Sequence, residues 1–178
     1  MEQSAPIREP ERTQPRDGVT SGYEQPLDKP PLRSYGVLVA AFNVSFAGSL
    51  YALKRSGREL PARIEPQDLV LLGAASHKLS RLLSKDKVTS VVRAPFTRYE
   101  ERGGPGEVEE QPRGSGLRRA VGELITCPYC LDQWVASAFT LGLVAAPRQT
   151  RLVASVFTIV AISDFLQVAY KAAEKRGL

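Results

Sequence analysis

Residues Tyr35 to Leu53, YGVLVAAFNVSFAGSLYAL, run for 19 residues without one charged side chain. No other feature constrains the chain as strongly. At ~1.5 Å per residue, a helix of that length nearly crosses a hydrocarbon core ~30 Å thick. Tyrosines at both edges suit interfacial anchoring, and Lys54 and Arg55 close the run. Ala41, Ser45 and Ser49 recur every fourth residue and would let a second helix approach closely. The competing reading is the buried core helix of a soluble protein.

Three further apolar blocks follow. Asp68 to Leu83 carries Lys78 and Arg81 near its C-terminal end, where long basic side chains reach the headgroups. Leu131 to Pro147 and Leu152 to Tyr170 are separated only by RQTR and its neighbours, which predicts a helical hairpin. Trp134 and Tyr170 lie at its edges, and Ala138, Gly142 and Ala146 give it a small-residue face. The expected fold is all-α: an integral membrane bundle of about four apolar helices, two of them short, over residues 34–178.

The mean hydropathy of −0.19 hides these blocks, because charge, proline and glycine gather elsewhere. Residues 1–33 are Pro-rich and almost free of aliphatic side chains, which predicts a disordered tail. The first apolar run begins only after about thirty polar residues, so no cleaved secretory signal is expected. Residues 99–119, rich in Glu, Gly and Pro, show neither helical nor strand periodicity and are expected as a flexible loop. Between them, Val88, Val91, Val92 and Phe96 follow a basic helix end and precede or flank Pro95, as in a segment lying along a membrane surface.

A net charge of +5 and a pI near 9.4 would suit nucleic acid, but the basic residues flank apolar blocks and form no aromatic-interleaved stripe. The expected partner is the lipid bilayer, with a second copy or a membrane protein beside it, and no nucleic acid. Lys85, Lys87, Arg93, Arg98, Arg118, Arg119, Lys171 and Lys175 outnumber the basic residues between alternate blocks. A multi-pass protein of the cell membrane with both termini in the cytoplasm is therefore expected.

The only two cysteines form Cys127-Pro128-Tyr129-Cys130. At a helix N-terminus such a pair can act as a redox centre, with Cys127 as nucleophile and Cys130 as resolving thiol. The strand before it and the proline loop beside it that a glutaredoxin site requires are missing, and a membrane-type helix follows instead. As a metal site the pair offers zinc two thiolates of the usual four, with His77, Glu123 or Asp132 as helpers, or a second protomer's pair. Packing at a helix entrance is the third reading. Elsewhere, His77, Arg81, Asp86, Arg93, Glu123 and Asp164 form a candidate polar cluster. Asp164 lies within an apolar block and needs a partner, Arg81 or Lys78. Its function is either a structural ion pair or part of a transport path with His77 and Arg81. There is no phosphate loop, H-E-x-x-H or nucleophile elbow, and no catalytic residue is assigned.

Taken in order, ASHKLSRLLSKDKVTSVVRAPF, then GELITCPYCLDQWVAS, then ISDFL, the chain resembles an uncharacterised bacterial membrane family, domain of unknown function 1360, over roughly residues 66–170. Arg81, Asp86, Arg93, Pro95, Phe96, Gly122, Glu123, Cys127, Cys130 and Trp134 fit its motifs. The family has no established activity, so the resemblance implies a membrane protein and leaves its chemistry open. The expected function is a non-enzymatic membrane component acting through helix packing or partner binding. The alternative is a membrane-embedded metal or thiol-redox protein built on the cysteine pair.

Overall fold

A computed structural model describes residues 31–177. The expected disordered tail falls outside them, apart from Pro31, Leu32 and Arg33, of which the last two already belong to a helix. In chain order the elements are α1 (Leu32–Arg55), α2 (Pro66–Lys85), a 3-10 turn (Lys87–Thr89), α3 (Ser90–Arg93), β1 (Thr97–Arg102), β2 (Val108–Pro112), α4 (Gly116–Thr126), α5 (Pro128–Ala145) and α6 (Pro147–Lys175).

The chain is mostly helical, with four long helices at the expected apolar blocks. Two of them, α1 and α6, are long and apolar enough to cross a membrane. The other two are shorter or more polar: α5 has 18 residues with Asp132 and Gln133 in its second turn, and α2 carries Asp68, Lys78 and Arg81.

Each long helix has a local reason to start where it does. Proline occupies the first turn of α2, α5 and α6, where its missing N–H removes nothing the helix needs and its fixed φ favours entry. Cys127 and Ala146, each just before such a proline, are held out of helical geometry, Cys127 in the extended region, and form one-residue breaks between consecutive helices. The RQTR stretch expected as a linker is therefore the first turn of α6.

Three helices build the core. Asp68, Leu72, Ala75, Ser76, Ser80 and Ser84 make one buried stripe on α2. Leu72 and Ala75 meet Val135, Phe139 and Leu143 of α5 and Ala154 of α6. The α2–α6 contact is close because it is made by small residues: Ala75 and Ala154 are wholly buried, and Thr158 Oγ1 donates to the Leu71 carbonyl at 2.8 Å. The α5–α6 turn is equally tight, since a Cβ on Gly142 would stand 2.8 Å from Thr150 Oγ1.

The pairs Asp68–Arg151, Leu71–Thr158 and Lys78–Asp164 ascend together, so α2 and α6 run parallel. Helix α5, joined to α6 by a tight turn, runs against both. Helix α1 runs with α5: Tyr35 hydrogen-bonds Glu123 just before α5, and Phe42 packs edge-on against Trp134 at 5.1 Å. The start of α1, the end of α2, the start of α5 and the end of α6 thus share one end of the bundle.

Residues 97–112 correct the all-α expectation, because β1 and β2 pair antiparallel inside the segment expected as a loop. The register runs from Thr97–Pro112 to Arg102–Val108, with a bulge at Glu100 and a glycine-rich turn closed by Gly103 N–H to the Glu107 carbonyl at 3.1 Å. A two-stranded ribbon is marginal alone, and this one is held by side chains of the α2 end. Helix α4 then packs on β2 and leads into α5.

Candidate functional site

Of the polar residues singled out in the sequence, Arg81, Asp86 and Arg93 come together where α2 ends. Its last turns present Arg81 and Lys85 four residues apart, on one face. Strand β2 and the turn before it present Glu107, Glu109 and Glu110. Arg81 donates to both Glu107 carboxylate oxygens, Nε at 2.7 Å and Nη2 at 2.8 Å, and Lys85 Nζ reaches Glu109 at 2.6 Å. Glu109 faces Glu101 across the ribbon, a like-charge pairing that costs stability unless neutralised, and Lys85 neutralises it.

Arg93 sits at the centre, 1% exposed, against Glu110 at 5%. Its Nε and Nη2 hold the two Glu110 oxygens at 2.8 and 3.2 Å. Nη1 donates to the Leu83 carbonyl at 2.8 Å and Thr89 Oγ1 at 2.6 Å, and Nη2 also donates to the Asp86 carbonyl at 3.0 Å and Ser90 Oγ at 3.1 Å. Thr97 adds a hydroxyl to Glu110 at 2.9 Å. A planar five-donor fork fits this set of acceptors where lysine would not. One side chain therefore fastens the end of α2, the short helix α3 and the ribbon together.

Burial alone would raise the Glu110 carboxyl; the hydrogen bonds from Arg93, Ser90 and Thr97 and the Arg93 charge together hold it below its ordinary 4.5. Asp86 goes the other way. Burial first, and then the Glu107 and Asp164 carboxylates, raise it above the usual range against the pull of Lys78 and Arg93.

The remaining expected site residues are placed as follows. Asp164 pairs with Lys78, Nζ to Oδ2 at 2.7 Å, one of the two partners expected for it; Arg81 goes to the ribbon instead. His77 is exposed and stacks on Phe165 of α6 at 6.3 Å, so the supposed path of His77, Arg81 and Asp164 is distributed over three separate contacts. Glu123 joins helices: it accepts from Tyr35 Oη of α1 and from Arg119 Nε at 2.9 Å. An apolar groove of about 360 Å³ lies beside it, lined by Tyr35, Leu38, Phe42, Leu124, Cys130 and Trp134.

Cys127 caps α5, its sulfur accepting from the Cys130 backbone N–H at 3.2 Å, and both thiols are free. Among the described residues no three or more His, Cys, Asp or Glu side chains converge in a group that could hold a metal ion. For zinc, one copy of the described chain offers the two sulfurs.

Sequence reasoning missed the acidic half of the network and the pair at the far end, where Arg151 holds Asp68 with two bonds of 2.8 Å. A signal for the ribbon existed: Thr97 and Tyr99 on one side of GGPG and Val108 on the other have the composition of a hairpin. Nothing local marked which glutamate would meet which base.

The family model described as "Protein of unknown function (DUF1360)" matches residues 71–170, from the second turn of α2 to near the end of α6. Sporulation protein YjcA of Bacillus subtilis (strain 168) is 28% identical over 102 residues, which cover 56% of this chain and 86% of that protein. No solved structure matches the chain.

Proposed function

We propose that this chain, which belongs to the DUF1360 family, is a non-enzymatic integral membrane protein whose bundle carries a rigid, ion-paired ribbon platform on its cytoplasmic end for contact with partners. The observation that carries the reading is the bareness of the two helices long and apolar enough to cross a membrane. No residue of α1 is buried, and on α6 only Ala154 and Ala161 are. Val37, Val39 and Val44 of α1, and Val156, Ile159, Ile162, Phe165 and Leu166 of α6, stand exposed. Apolar surface on that scale marks contact with lipid or protein. The two helices, 24 and 29 residues long, extend about 36 and 44 Å, more than a hydrocarbon core of ~30 Å.

If α6 crosses, α2 and α5 cross with it, because they are packed along its length. On α2 the two ion pairs with α6 stand ten residues apart, Asp68 to Lys78, or about 15 Å. In a core of ~30 Å at least one of them lies within the apolar zone, a depth at which a charge is tolerated only when it is paired, as both are. Both termini of the bundle, the ribbon and α4 then fall on the side richer in Lys and Arg, the cytoplasm.

Two measurements test this. Untagged protein from lysed cells should sediment at high speed, resist an alkaline carbonate wash and dissolve only in detergent; protein left in the supernatant would overturn the membrane reading. Cys127 and Cys130 should react with a membrane-impermeant maleimide after lysis and not in intact cells. Labelling of intact cells would reverse the orientation.

A further inference from the structure

The segment joining α2 to the ribbon is built inside out. Its arginine is buried to 1%, whereas Val88, Val91 and Val92 are 79%, 77% and 66% exposed. Its polar groups turn inward as well: Thr89 Oγ1 donates to the Leu82 carbonyl at 2.7 Å, and Ser90 Oγ accepts from Arg93. Water would favour the opposite arrangement, since three bare valines gain nothing there. The Arg93 network fixes this display, so the valines cannot fold back into the core.

Directly before Val88 stands Lys87, which lines a polar concavity of about 770 Å³ at the tip of the ribbon together with Tyr99 and Arg102. Arg81, Lys85 and Arg93 are each matched to a glutamate. The side chains of Lys87 and Arg102 have no such match among the described residues, and Glu107, the acid in the same lining, is already taken by Arg81. Tyr99, exposed, adds an amphipathic ring. Two unmatched cations, a tyrosine and an adjacent valine face are the components of a surface that recognises anionic headgroups over acyl chain.

We infer that the Lys87–Val92 segment and the ribbon tip dock on the anionic phospholipid surface of the bilayer, with Val88, Val91 and Val92 in the acyl boundary and Lys87 and Arg102 on the phosphates. The inference rests on the membrane reading above and adds a lipid class to it. Its position supports the bilayer as occupant, because Lys87 lies two residues beyond the last residue of α2, at the level where that helix would leave the hydrocarbon.

The test uses the full chain with Trp134→Phe and Val91→Trp, reconstituted into phosphatidylcholine vesicles with and without phosphatidylglycerol, and lipids brominated near the headgroup. The new tryptophan should emit to the blue and lose most of its emission to bromine, with stronger quenching when phosphatidylglycerol is present. Lys87→Ala with Arg102→Ala should abolish that increment. Val88→Trp, at an equally exposed position, gives the same readout if Val91→Trp does not fold. Red, unquenched emission from protein that floats with the vesicles would sink the docking and leave the membrane reading standing. Blue emission without bromine quenching would assign the face to a second copy or another protein. Protein that does not float at all would overturn both readings.

Discussion

Arg93→Ala should lower the stability of the folded chain by about 3–5 kcal/mol, the usual cost of removing one partner from a buried pair. For a chain of this size that corresponds to a fall in Tm on the order of 10 °C. The cost arises because Glu110, nearly as buried as Arg93, would keep its charge with no cation beside it, and the Leu83 and Asp86 carbonyls would each lose one donor. Thermal unfolding in detergent, followed by circular dichroism, measures it. Arg93→Met with Glu110→Gln should restore much of the loss, because replacing both charges removes the unpaired one. A single Arg93→Ala loss below ~1 kcal/mol, in the range of an exposed pair, would show that water reaches the network.

The same pair gives the chain an acid limb of known sign. A carboxyl held below its ordinary value in the folded state contributes stability above the unfolded value, here 4.5, and that contribution disappears as pH falls through the lower folded value. Unfolding free energy should therefore decline below about pH 4.5. Glu110→Gln should flatten that part of the profile while lowering stability at neutral pH.

Gly122→Ala should be the second most damaging single change. The new methyl would stand 2.6 Å from the Phe96 carbonyl oxygen and 3.1 Å from Pro112 Cβ, and neither is the end of a flexible side chain. Helix α4 would have to move off the ribbon, at a cost of about 1–3 kcal/mol for overpacking. Because Arg113 N–H also bonds the Phe96 carbonyl at 2.9 Å, the shift should pull at the base of the ribbon. Proteolysis is a direct probe: the variant should be cut within residues 97–115 faster than the parent. Unchanged cleavage and unchanged Tm would mean that α4 does not press on the ribbon as described. Gly73→Ala is the control, since nothing lies within 4 Å of its added methyl.

The helices were legible because their signals are local. Runs of apolar residues, with small residues at every fourth position in two of them, locate α1, α2, α5 and α6 to within about five residues. The ribbon left only the GGPG turn and its β-forming neighbours as a signal, because TRYEER and VEEQP lack the apolar alternation of a strand with a buried face. Its exposed faces carry charge, and its stability comes from Arg93, Lys85 and Arg81, which stand 17 to 26 residues from the glutamates they hold. The candidate site divides in the same way. Arg93, Asp86 and Glu123 were marked by the motifs that carry the family resemblance, but the reason Arg93 matters, a buried carboxylate in the segment read as a loop, was invisible.

The sequence by itself determined the number of long helices, their order and the family to which the chain belongs, since each is written in runs of neighbouring residues. Only the tertiary structure decided that α2 and α6 lie parallel, that Lys78 and not Arg81 meets Asp164, and that an arginine goes inside while three valines stay out. Those outcomes depend on which distant side chains arrive within 3 Å of one another. Electrostatics and hydrogen bonding act over that distance, and hydrophobic periodicity carries no record of it.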